Sequence, residues 1–113
     1  MGRMSTEPLQ IETIDELIGY LRGAHSAYVQ YGAQTYYLTD ANDIYWRAQN
    51  TNELNEKGHF VDCSELVPVL SEFIDLPFYE SSTGKKSLRE MFDRCTFYAS
   101  RKVEGQGTPV PIV

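Results

Sequence analysis

The chain has 113 residues, 42% of them hydrophobic, which leaves room for one domain with one core and argues against wholesale disorder. Its two cysteines, Cys63 and Cys95, are too few for a disulfide-dependent secreted scaffold, and no apolar run approaches the roughly 20 residues that cross a bilayer. The net charge of −6 is unevenly spread: Ser5 to Glu80 carries thirteen acids against Arg22, Arg47 and Lys57, and Ser81 to Val113 carries six bases against three acids. An acidic body of this kind repels nucleic acid, whose affinity for proteins comes largely from phosphate neutralisation, and attracts a basic partner.

Residues 1–10 are polar, lack the apolar core of a signal peptide and are expected to be flexible. A reducing, cytoplasmic location with two reduced thiols is expected. Residues 11–102 read as the single α+β domain. Thr13-Ile14-Asp15-Glu16 is a capping box, and Ile14, Leu17, Ile18 and Leu21 form one apolar helical stripe. Gly23 stands where a left-handed C-terminal cap would fall.

Ser26–Tyr31 and Gln34–Thr39 flank Gly32-Ala33, a loop suited to a type II′ hairpin turn. Pairing Tyr31 with Gln34 sets Val29 opposite Tyr36 and Ala27 opposite Leu38 on an apolar face. Tyr28 then lies opposite Tyr37 on the other face. A turn at Asp40-Ala41-Asn42 leads to a third strand, Asp43–Gln49, in which Ile44, Trp46 and Ala48 alternate with Tyr45, Arg47 and Gln49. Asn50–Gly58 is loop-like, and His59–Asp62 is a short fourth strand.

Ser64 caps an expected helix running from Glu65 to Ile74, with Leu66, Leu70, Phe73 and Ile74 on one face and Pro68 in its first turn. Asp75–Gly84 reads as a connection. Ser87-Leu88-Arg89-Glu90 is a second capping box, with Leu88, Met91, Phe92 and Cys95 as the following stripe. Cys95–Ala99 suits helix and strand equally, and 103–113 is a Gly/Pro-rich tail. The expected fold is α+β, an antiparallel β-meander of three to four strands packed against two or three helices.

Chemistry-bearing motifs are weak. His59, Asp62 and Cys63 lack the paired spacing of a zinc site, so no metal and no cofactor is expected. Cysteine with His25 or His59, or a hydroxyl at Ser87 or Ser100, would supply a nucleophile and base without any local signature. Asp15, Glu16, Asp40 and Asp43 are explained by helix-start and turn preferences. The run from Ser82 to Ser87 fails the phosphate-loop pattern at Tyr79 and Lys86. Lys85, Lys86 and Arg89 remain an anion-contact candidate near a helix start.

The tyrosines carry the functional expectation. Tyr28, Tyr37 and Tyr45 would share the sheet face turned away from the helices, forming an interaction surface with Arg47, Asp40 and Asp43. Tyrosine combines large area with a polar tip and is enriched at binding hot spots. The leading reading is a non-enzymatic module that binds another protein bearing a basic patch, in the style of small inhibitors, immunity proteins and phage or mobile-element accessory proteins. The alternatives are a small hydrolase or transferase with a pocket between sheet and helices, and a homodimer of structural role. Membrane association and specific nucleic-acid binding are not expected.

Overall fold

A computed structural model describes residues 3–41, 44–81 and 84–101. The chain forms β1 (Arg3–Pro8), α1 (Ile14–Ala24), β2 (Ser26–Tyr31), β3 (Gln34–Ala41), β4 (Tyr45–Leu54), β5 (Phe60–Asp62), α2 (Leu70–Ile74), β6 (Tyr79–Ser81), β7 (Gly84–Lys86), α3 (Leu88–Met91) and β8 (Cys95–Arg101). One antiparallel sheet takes the order β1-β8-β2-β3-β4-β5, and β6 and β7 make a separate hairpin. The architecture is α+β, with more strand and shorter helices than the sequence pattern suggests. The tail at 103–113 lies outside the described residues.

α1 starts as its sequence requires. Thr13 Oγ1 accepts from the Glu16 N–H at 3.1 Å, and Glu16 Oε1 accepts from the Thr13 N–H at 3.1 Å. Leu17 and Leu21 are fully buried. The helix runs past Gly23 and is capped by His25, at φ +66°, whose N–H reaches Leu21 O. Histidine enters this conformation more readily than most non-glycine residues. Here two contacts hold it: Nδ1 lies 2.6 Å from Asp40 Oδ2, and the ring is parallel to that of Trp46.

β2 and β3 pair in the expected register, Val29 with Tyr36, Tyr28 with Tyr37 and Tyr31 with Gln34. Gly32 has φ +59° at the first turn position, and a Cβ there would meet no atom within 4 Å. Gly32→Val is therefore strained through the backbone alone and should cost about 1–3 kcal/mol. Gly32→Asn should cost clearly less, because asparagine tolerates this region. Equal melting temperatures for the two variants would contradict this account of the turn.

Several segments depart from the sequence expectation, among them the 75–84 connection, which contains β6 paired with β7. Arg3–Pro8 is an edge strand on β8, where Ser5 fills a bulge by accepting from the Ala99 N–H at 3.0 Å. β4 continues to Leu54, through residues that read as loop, and β5 folds back on it after the Asn55 side chain accepts from the Lys57 and His59 N–H groups. The expected helix from Glu65 shortens to Leu70–Ile74. Pro68 explains this: a residue before proline is pushed out of the helical region, and Val67 is extended. Val67 instead bridges Trp46, with N–H···O distances of 2.7 and 3.0 Å.

Ser87 and Glu90 form the second capping box, yet α3 lasts one turn before a 3-10 segment, Phe92–Arg94, leads into β8. Strand wins over continued helix because Phe97 can bury beside Val29, its cross-strand partner. The core lies between one sheet face and the helices. Phe73 is its centre, stacked between Trp46 at 6.3 Å and Phe78 at 6.1 Å.

Candidate functional site

The sheet face turned away from the helices carries one continuous row. Successive pairings set Tyr98 beside Tyr28, Tyr28 beside Tyr37, Tyr37 beside Gln49 and Gln49 beside Asp62. The expected tyrosine platform is not on it as an exposed surface: Tyr28 and Tyr37 are only 5% and 6% exposed. Their rings pack on each other at 4.8 Å, and Phe60 from β5 meets Tyr37 at 6.0 Å. Burial and the neighbouring Tyr37 push the Tyr28 hydroxyl up to about 12.

Beside this row lies a cleft of about 570 Å³, lined by Tyr37, Arg47, Gln49, His59, Phe60 and Asp62 among others. Arg47 Nη1 is 3.4 Å from Asp62 Oδ1. Gln49 is buried, and its amide nitrogen donates to Asp62 Oδ1 at 2.9 Å and Phe60 O at 3.3 Å. Asp40 belongs to the opposite contact, with His25 over Trp46. Asp43 lies outside the described residues.

Tyr45 does face solvent, in different company from that expected. Ile44, Tyr45, Leu66 and Val69 are 55%, 42%, 50% and 45% exposed. Continuing the antiparallel register of the Trp46–Val67 bridge brings Tyr45 towards Pro68 and Ile44 towards Val69. Sequence periodicity placed Ile44 and Leu66 on apolar, inward faces. The shortened α2 turns Leu66 outward, and Ile44 belongs to the turn before β4.

The basic cluster is divided. Arg89 Nε is held by Asp75 Oδ1 at 2.6 Å, while Lys85 lines a second cleft of about 660 Å³ with Glu53, Cys63 and Glu65. Lys86 ends β7, directly before Ser87. A one-turn helix offers no anion site of its own, so the anion contact loses its support. Among the described residues no group of three His, Cys, Asp or Glu side chains is placed to hold a metal, and no helix is long and apolar enough to cross a membrane.

Neither cysteine is in a disulfide. Burial pushes the Cys63 thiol from 9 up to about 11; Lys85 opposes the shift and Asp62 adds to it. At pH 8 its alkylation by iodoacetamide should run at least about tenfold slower than in the urea-unfolded chain, the loss of thiolate being partly offset by the greater nucleophilicity of a thiolate of higher pKa. Equal rates would show an accessible thiolate. Between pH 9 and 11 the unfolded thiol ionises while the folded one stays protonated, so stability must fall as pH rises through that window. Tyr28 extends the loss from pH 10 to about 12.

The chain matches no protein-family model, no curated protein and no solved structure.

Proposed function

We propose that this protein is a non-catalytic interaction domain that binds a protein presenting an apolar surface rimmed by lysine or arginine. One observation carries the reading. Of the five large apolar side chains exposed among the described residues, four (Ile44, Tyr45, Leu66 and Val69) flank the Trp46–Val67 bridge in sequence. A cluster of this kind is the usual mark of an interaction site, whereas single exposed apolar residues are ordinary.

Charge selects the partner. Glu65 and Glu72 are exposed beside Leu66 and Val69, within the part of the chain that carries thirteen acids against three bases. A basic rim would be steered towards this edge, and a second copy of the same acidic edge would be repelled. Tyr45 supplies the aromatic anchor that hot spots favour.

The test compares affinity capture by the wild-type protein and by an Ile44→Asp, Leu66→Asp variant. Both positions are exposed, so each change should alter stability by no more than about 0.5 kcal/mol. The variant should lose the captured partner, and Tyr45→Ala should weaken the purified complex by about 2 kcal/mol or more. Identical capture by a folded variant overturns the reading. A wild-type dimer that the variant splits, seen by light scattering, would make the second copy the occupant instead.

A further inference from the structure

The open-face cleft is a separate feature from the apolar edge, and its polar groups are incompletely matched. Gln49 is only 7% exposed, and its amide orientation is fixed because Phe60 O and Asp62 Oδ1 both accept. Its nitrogen is thus spent, and Oε1 is the amide's remaining acceptor on a residue that lines the cleft. Two residues earlier on the same strand face, Arg47 Nε is buried with no partner among the described residues, and Nη1 lies 3.4–3.5 Å from Asp62. That is longer than the roughly 2.7–2.9 Å of a charge-assisted hydrogen bond. A buried guanidinium nitrogen left without a partner is a costly arrangement, and it stands beside the Gln49 acceptor.

We infer that this cleft binds a free α-amino acid, its carboxylate on the Arg47 guanidinium and its ammonium between Gln49 Oε1 and the Asp62 carboxylate. Charge favours the zwitterion over a simple anion. The cleft sets the Arg47 guanidinium beside the Asp62 carboxylate, so a zwitterion finds a partner for each of its charges whereas a bare anion also meets the carboxylate. Size is suitable, since a volume of about 570 Å³ lies within the ordinary range for small-molecule sites. The Tyr37 and Phe60 rings, in edge contact with each other, form the apolar wall for the ligand's side chain. Aliphatic and aromatic amino acids are therefore the preferred members.

The experiment is an NMR titration of the full chain with the twenty L-amino acids, their methyl esters and their N-acetyl derivatives. Saturable shifts at Thr39, Arg47, Gln49 and His59–Asp62 are expected for apolar amino acids, and at least tenfold weaker binding for both derivatives. Arg47→Lys removes the planar fork and should also weaken binding about tenfold. Gln49→Met, which removes the acceptor together with the bonds its amide donates to Phe60 and Asp62, should do the same while leaving Ile44 and Leu66 in place. No saturable shift by about 10 mM, a concentration above the millimolar Kd of even a weak complex, overturns the inference. So does binding that is indifferent to both substitutions. N-acetyl derivatives binding more tightly than free amino acids would assign the cleft to peptide C-termini instead.

Discussion

Phe73→Ala is expected to lower the unfolding free energy by about 3–5 kcal/mol, the range for deleting a fully buried phenylalanine ring. Phe73 is 0% exposed and stands between Trp46 and Phe78, so its removal opens a cavity with rings on two sides. Rigid aromatic walls cannot collapse into such a space as flexible chains can, which places the loss towards the upper end. In a domain of this size the stability available is only about 5–15 kcal/mol. The melting temperature should therefore fall by more than about 10 °C. Phe73→Leu, which keeps most of the volume, should lose markedly less. A loss below about 1 kcal/mol for the alanine variant would mean that the three-ring stack is not the centre of the core.

Tyr37→Ala should cost about 3 kcal/mol, comparable to other large-to-small changes at buried aromatic sites. An outward-facing tyrosine on an open sheet would lose only cross-strand contacts, worth about 0.2–1 kcal/mol. The difference follows from burial: Tyr37 contacts Tyr28 on one side and Phe60 on the other. Its hydroxyl contributes little, lying 3.5 Å from Ser100 Oγ. Tyr37→Phe is therefore expected to be near neutral, and urea denaturation of the two variants separates ring from hydroxyl. A nearly unchanged Tyr37→Ala midpoint would restore the exposed tyrosine platform.

Local rules were legible wherever a short stretch of sequence decides the outcome alone. The Thr13 and Ser87 capping boxes form as written, and Gly32 sets the register of β2 on β3 through to Ser26 and Thr39. Tertiary partners decided the rest. Arg3–Pro8 has no strand pattern, and becomes a strand because β8 offers it an edge and Ser5 satisfies Ala99. Leu66 fits a helical stripe, but Pro68 holds Val67 extended and the bridge to Trp46 completes the switch. Of the expected surface, Tyr45 is exposed and Arg47 lines a cleft, whereas Tyr28 and Tyr37 are on the expected face but buried against neighbouring rings. That distinction lay beyond a two-residue alternation, which says which side of a sheet a ring occupies and nothing about what covers it. Gln49 and Asp62 carried no signal because their roles arise from pairing across β4 and β5.

The position of β8 has a consequence for how the protein is made. β2, β3 and β4 are complete in the growing chain by Leu54, but the neighbour that covers the outer edge of β2 begins only at Cys95. About forty residues must be added in between, a delay of roughly 2–8 s at ordinary translation speeds. Throughout that interval β2 shows a row of open backbone groups beside Val29, ready to template another chain. β1, finished first, waits longest, since its neighbour in the sheet among the described residues is β8. The newborn protein is most at risk of sticking to its neighbours in the seconds before its C-terminal strand slides between the two.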